Sequence, residues 1–249
     1  MRLTQASQQW QYAKMTKNPW NQFFLTILGS FVTLALAQAA DETPAVKNLQ
    51  PDKALQQLMA GNARFASGQA EGPKRSPKDF IASAKAQYPS AVVIACADSR
   101  VSPELLFDTG VGDLFVVRLA GNVVDGAGVA MKGSVEYAVA ELDVPLIIVL
   151  GHSNCGAVNA AVKHIDQSDS LPGAINGLVE LIKPAAAKAK AQPGDINSNA
   201  ITLNVEQGVE KLKASEPIIA PRVKAGRVKV IGAIYDLATG KVALTPTEK

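Results

Sequence analysis

The sequence predicts an α/β fold in which a four- to five-stranded, mainly parallel sheet is flanked by helices, and three observations predict it. Ala91–Ala95 (AVVIA), Leu114–Leu119 (LFVVRL), Pro145–Leu150 (PLIIVL) and Arg227–Tyr235 (RVKVIGAIY) are short runs rich in Val, Ile and Leu. The first and third carry no polar residue at all, the pattern of strands buried on both faces. Helical stretches separate the runs: about Ala127–Leu142 between the second and third, and most of Ala157–Ala225 between the third and fourth. Strands that alternate with helices pair in parallel, because a parallel neighbour is reached only by a crossover that covers a face of the sheet.

In chain order, residues 1–39 read as an address rather than as structure. Phe23–Ala37 is 15 uncharged residues, short of the roughly 20 that a spanning helix needs. Lys14 and Lys17 precede it and Ala37-Gln38-Ala39 follows as a small-x-small cleavage site, the three-part pattern of a signal peptide. Met15 is an alternative start that gives a leader of more ordinary length, and an uncleaved anchor is the competing reading. Residues 40–249 are then expected to form one domain, in the periplasm or secreted. In Pro51–Ser67, Leu55, Leu58, Met59, Asn62 and Phe65 recur at helical spacing behind a proline suited to a first turn. The apolar face of that helix could serve a partner chain. Gly68–Pro77 reads as a loop and Phe80–Ala86 as a short helix. Pro172, Pro184, Pro193, Pro217 and Pro221 punctuate the helical region 157–225, and Lys241–Thr245 is expected to return as an edge strand against Arg227–Tyr235 through Ala238-Thr239-Gly240.

Composition narrows the function. Hydrophobic residues are 47% and charged residues 19% of the 249, a globular balance that argues against disorder. The net charge of +3 comes from the leader: Arg2, Lys14 and Lys17 lie there without an acid, and the rest holds 22 basic and 22 acidic residues. A neutral body offers nucleic acid no electrostatic footprint. The Gly121–Gly128 stretch (GNVVDGAG) lacks the Gly-Lys-Ser/Thr ending of a phosphate loop and reads as a tight turn.

Chemistry concentrates at two strand ends, where ligands of open α/β sheets bind. Cys96-Ala97-Asp98-Ser99-Arg100 follows the first strand, and Gly151-His152-Ser153-Asn154-Cys155-Gly156 follows the third. If the chain stays extended after the first strand, Cys96, Asp98 and Arg100 share a side. Gly151 is expected to turn the chain sharply as it leaves the third strand, letting His152 and Cys155 converge, and the start of the next helix favours thiolate at Cys155. Two thiolates, an imidazole and a carboxylate form a good zinc set. Bland readings compete residue by residue. The cysteines of an exported protein can be one disulfide or two small buried hydrophobes, His152 a hydrogen-bonded core histidine, and Asp98 and Arg100 a plain salt bridge. A closed structural zinc site and a Cys155–His152 hydrolase are the alternatives of other classes. His164 falls in a helical stretch and reads as an ordinary structural histidine.

Cys-Ala-Asp-Ser-Arg-Val followed by Gly-His-Ser-Asn-Cys-Gly-Ala-Val resembles the paired signature of the β-class carbonic anhydrases. The resemblance runs from about Asp52 to Leu237 and includes Asn62-Ala63-Arg64-Phe65, Phe115-Val116-Val117-Arg118, Ala120-Gly121-Asn122 and Glu136-Tyr137-Ala138. It implies a carbonate dehydratase, a zinc lyase that hydrates carbon dioxide reversibly to bicarbonate and a proton by attack of zinc-bound hydroxide. One zinc per subunit would rest on Cys96, His152 and Cys155, with Asp98 in the fourth place or displaced by water. Arg100 would draw Asp98 off the metal, and the freed carboxylate would orient the hydroxide. The resemblance further implies Gln87 as a substrate donor, Phe115, Ala120 and Tyr137 as an apolar wall, and Gly156 as a backbone donor. It implies a homodimer or a higher even assembly. Members with an inhibitory bicarbonate site carry tryptophan where this chain has Val93, which predicts a site open at neutral pH. A relative acting on carbon disulfide or carbonyl sulfide would share the same ligands, and no residue offers itself as the proton shuttle.

Overall fold

A computed structural model describes residues 49–124, 128–166 and 171–246; the leader 1–39 and the expected helix start at Ala127 lie outside them. The sheet has five strands: β1 (Ala91–Ala95), β2 (Leu114–Arg118), β3 (Leu146–His152), β4 (Lys229–Tyr235) and β5 (Val242–Leu244), in the order β2-β1-β3-β4-β5. The first four are parallel and β5 is the expected antiparallel edge. The chain steps from β1 outward to β2, then crosses back over β1 to β3. The gap between β1 and β3 is therefore the topological switch point, where a crevice opens beyond the carboxyl ends of the strands. Register sets Ala95 beside Leu150, so Cys96 follows β1 beside the last residues of β3.

Pleating divides the core. Val92, Ile94, Ile147 and Val149 point to one face, under α4 (Val129–Ala140), α7 (Ile196–Lys213) and α8 (Ile219–Lys224). Ala91, Val93, Ala95, Leu146, Ile148 and Leu150 point to the other, under α1 (Pro51–Ala66) and the single turn α3 (Pro103–Leu106). All of β1 and β3 is buried, and each large side chain so removed from water contributes roughly 1.5–3 kcal/mol. A third cluster joins α5 (Gly156–Lys163), α6 (Ile175–Lys190) and α7, and includes Cys96 and Cys155.

Several expectations are corrected. β3 does not end at Leu150: Gly151 and His152 stay in the strand, paired with Ile234 and Tyr235 of β4. Gly151 is needed for close packing rather than for a turn, since a Cβ there would lie 2.6 Å from Val205 Cγ2 of α7. The turn comes later, at Asn154, whose φ of 56° is tolerated best by Gly, Asn and Asp. The apolar face of α1 serves its own chain, with Ala54 and Leu58 buried and Leu55, Met59 and Phe65 packed against the second core cluster. Pro184 does not break the helical region; it sits exposed inside α6, while Ala185, Ala186 and Ala189 hold that helix against the core. The short helix expected at Phe80–Ala86 is α2 (Pro77–Ser83), started earlier by a capping box in which Ser76 N–H donates to Asp79 Oδ2 at 3.0 Å.

Candidate active site

Three ligand atoms converge at the switch point. Cys96, His152 and Cys155 are all buried, and their sulfur and nitrogen atoms lie within 4.8 Å of one another. Sulfurs on one tetrahedral zinc stand ~3.8 Å apart, from Zn–S bonds of about 2.3 Å, so the cluster already has the size that such an ion requires. Both cysteines are free thiols, which removes the disulfide reading.

Histidine chemistry makes the same point. His152 has no solvent exposure, and its Nδ1 lies 3.0 Å from the carbonyl oxygen of Ser153. A carbonyl only accepts, so Nδ1 carries the proton and Nε2 presents a lone pair. That Nε2 is buried without a hydrogen-bond partner. A core histidine would have satisfied it; a metal ligand must leave it bare, with Nδ1 oriented by a backbone carbonyl. The residues therefore fit a metal ion of the zinc type.

The two sulfurs are not equivalent. The N–H groups of Asp98 and Gly121 point at Cys96 Sγ from 3.4 and 3.3 Å. The thiol of Cys96 is held well below the ordinary thiol range, first by its hydrogen bond with Cys155, against the cost of burial, and further by His152 and those two N–H groups. Cys155 caps the start of α5, where thiolate was expected. With one proton shared between the two sulfurs, its thiol is pushed up by the bond to Cys96 and by burial, and the N–H groups of Val158 and Ala157 act the other way.

Asp98 stands just outside the ligand cluster, with Oδ2 3.9 Å from His152 Nε2. Arg100 takes both of its oxygens: the backbone N–H and Nε reach Oδ1 at 2.9 Å each, and Nη2 reaches Oδ2 at 2.7 Å. Those bonds from Arg100 keep the carboxyl well below the usual carboxylate range. The expected extended alternation is not what brings the pair together; a turn does, closed by Val101 N–H on the Asp98 carbonyl at 3.0 Å.

The sequence-predicted substrate residues fall into two groups. Ala120 and Gly156 flank the metal cluster, one beside the Gly121 N–H and the other next to Cys155. Gln87 and Tyr137 instead line an open cleft of about 570 Å³, and Phe115 meets Tyr137 with ring centroids 6.3 Å apart. Gln87 precedes β1 and Cys96 follows it, so a five-residue strand, about 16 Å, lies between them. One chain does not bring the two groups together.

Other participants escaped the sequence reading. Arg118, the last residue of β2, donates Nε to the Cys96 carbonyl at 3.3 Å and Nη2 to the Asp98 carbonyl at 2.7 Å, bracing the segment that carries both. An arginine closing an otherwise apolar strand was the available signal. Ser153 fixes the imidazole through its carbonyl, while its Oγ accepts from Leu237 N–H at 2.9 Å. Gly121 acts through its N–H. Backbone roles of this kind leave no mark in the residue types.

Known proteins agree with this geometry. Residues 91–242 match the family described as carbonic anhydrase. The chain is 40% identical over 197 residues to a carbonic anhydrase of Mycolicibacterium smegmatis, covering 79% of this chain and 94% of that one. Among solved structures it is similar to the β-carbonic anhydrase of Coccomyxa, with a TM-score of 0.59 and 31% identity over 76% of this chain and 85% of that one. It is also similar to a tetrameric β-carbonic anhydrase of Sordaria macrospora, with a TM-score of 0.62 and 25% identity over 78% and 97%. With the Cys-His-Cys cluster at the switch point of a mainly parallel sheet, these matches establish that the chain belongs to the β-class carbonic anhydrases.

Proposed function

We propose that this enzyme hydrates carbon dioxide reversibly to bicarbonate and a proton at one zinc per chain, held by Cys96, His152 and Cys155. The unpartnered Nε2 of His152 beside two free buried thiols carries this reading. When bound there, zinc supplies a Lewis acid that makes hydroxide available from water near neutrality, a chemistry for which carbonic anhydrases are themselves the reference case. The protein's part is orientation. Arg100 pins the Asp98 carboxylate bidentately, away from the cluster, so three protein ligands leave one position open. Ionised Asp98 retains lone pairs, and one of its oxygens would accept a hydrogen bond from the nucleophile and so turn the nucleophile's lone pair toward the substrate carbon. The Gly156 N–H, at the positive end of α5, is the donor for a substrate oxygen, and Ala120 bounds the same space.

Gln87, Phe115 and Tyr137 join this site only from a second copy. Exposed Tyr88 and Tyr137 line their cleft, and Phe80 and Ile81 of α2 are exposed as well, apolar surface suited to a homodimer or a higher even assembly. A closed structural zinc site would need Asp98 as fourth ligand, and the Arg100 pair argues against that. Residues 1–39 are best read as a cleaved export signal leading to the periplasm or outside; N-terminal sequencing of the exported product tests this, and a product that keeps Phe23–Ala37 would favour an anchor. No helix among the described residues is long and apolar enough to cross a membrane.

Metal analysis beside a stopped-flow hydration assay tests the main reading. One zinc per chain, activity lost to chelator, and two titratable thiols after denaturation in chelator are expected. A metal-free active enzyme, or a mapped Cys96–Cys155 bridge, would end it. Running the assay with carbonyl sulfide in parallel separates the sulfur substrates from carbon dioxide.

A further inference from the structure

We infer that Asn204 is a positioning residue for the Cys96 sulfur, acting through the backbone of Gly121; the inference rests on Cys96 being a metal ligand. Asn204 lies on α7, 83 residues beyond Gly121, and only 4% of it is exposed. Its Nδ2 donates to the Gly121 carbonyl at 2.8 Å, and the Gly121 N–H donates to Cys96 Sγ at 3.3 Å. The chain of contacts runs from a helix side chain, through one residue's backbone, to the sulfur.

Gly121 cannot hold that geometry by itself. Its φ of 69° belongs to the left-handed region, and a Cβ there would lie 2.7 Å from Ile182 Cδ1 and 3.2 Å from Ala157 Cβ. Glycine is therefore required, and glycine is the residue with most backbone freedom to lose. The turn of residues 120–122 has one internal backbone bond, Asn122 N–H to the Leu119 carbonyl at 2.9 Å. Asn204 adds the tie on the carbonyl side. Its own position is firm, because the neighbouring Val205 fills the space left by Gly151 and Gly232, within 2.6 and 2.7 Å of where their Cβ atoms would stand.

An N–H pointed at a ligand sulfur draws electron density from it. The sulfur then donates less to the metal, and the metal stays a stronger Lewis acid. Without Asn204 the turn relaxes, Cys96 loses one of its two N–H donors, and its sulfur donates more.

Cobalt(II) substituted into the full enzyme reads this directly, through the thiolate-to-cobalt absorption band in the near ultraviolet. In Asn204→Leu the band should move to lower energy because the sulfur donates more, while zinc affinity measured by chelator competition should still fall about tenfold because the sulfur is no longer held in place. Gln207→Leu is the matched control: it removes a bond of the same kind on the same helix, Nε2 to the Leu181 carbonyl of α6 at 3.2 Å, which ties neither the Gly121 backbone nor the sulfur. That variant should lose thermal stability and leave the band unmoved. If Asn204→Leu does not fold, Asn204→Ser is read by the same criteria. A normal wild-type band that stays in place in the Asn204 variant overturns this inference alone. A wild-type protein that binds cobalt without such a band overturns the metal ligation itself, and this inference with it.

Discussion

Arg100 binds Asp98 three times, once through its own backbone N–H and twice through its guanidinium, and so holds the carboxylate just outside the Cys96–His152–Cys155 cluster, with Oδ2 3.9 Å from His152 Nε2. The backbone bond alone would still let the side chain swing. The guanidinium fork fixes its plane, and a lysine could not do so because it is a point charge.

Arg100→Ala should therefore retain zinc and lose hydration activity at neutral pH by two or more orders of magnitude, as the carboxylate becomes free to close the open position. Arg100→Lys should recover only part of the loss. Asp98→Ala should keep zinc as well, since three ligands remain, but lose the group that orients the nucleophile. The double variant should be no worse than the poorer single one, because the two act as a unit. Hydration rates with zinc content measured beside them decide; full activity in zinc-loaded Arg100→Ala would show that the arginine gates nothing.

Gly151 and Val205 give a second test. The residue before His152 has no room for a methyl group, so Gly151→Ala should destabilise the fold by roughly 1–3 kcal/mol through overpacking and displace His152. Val205→Ala should open that space and recover part of both stability and activity in the double variant. Denaturant midpoints and zinc content across the four-member cycle measure the coupling; purely additive effects would mean that the two residues do not press on each other.

How far the molecule was legible in its residues follows from the same examples. The buried strands were readable because continuous Val and Ile runs have few other uses, and the ligands because each sits at the end of such a run. Gly151 was misread as a turn, since a glycine that makes room for a helix looks no different from one that bends the chain. The apolar stripe of α1 could have served a partner chain, but Asn62 on it donates Nδ2 to the carbonyls of Leu106 and Gly240 and accepts from Val242 N–H, locking that helix to its own chain. Arg118 and Asn204 act on carbonyls 20 and 83 residues away, and no local pattern encodes a contact at that range.

Asp108 predicts a pH dependence. Its side chain is fully buried. Burial alone would push its carboxyl up, but the N–H groups of Glu71 and Gly72 and the Arg64 guanidinium together hold it below the ordinary value. A depressed folded-state pKa means that the stabilisation is complete above the unfolded value, about 3.9 for Asp, and is lost as pH falls through the folded one. Asp108→Asn should cost roughly 1–3 kcal/mol at pH 7, and the gap in melting temperature from wild type should narrow as pH is lowered toward 3. A gap that stays constant with pH would mean that the charge at Asp108 is immaterial.

The separation of Gln87 from Cys96 by the length of β1 makes the last prediction: if Gln87 serves hydration, as proposed, it serves the site of a second chain. Cys155→Ser should abolish hydration by removing a zinc ligand, and Gln87→Ala should lower it by removing a substrate donor, each measured as a homo-oligomer. In a mixed dimer the two defects fall on different sites. The intact cluster of the Gln87→Ala chain faces the intact Gln87 of the Cys155→Ser chain, and the other site carries both lesions. Random co-assembly of equal amounts should place roughly a quarter of all sites in the repaired state, for a two-fold dimer in which each chain serves the other. Tandem-tagged co-expression, purification of the mixed species and stopped-flow assay read this out. Recovered activity in the mixed dimer, above the average of the two parents, is the expected result. Activity equal to that average would mean that Gln87 serves the cluster of its own chain or none, and the cleft it shares with Tyr137 would then have no part in hydration.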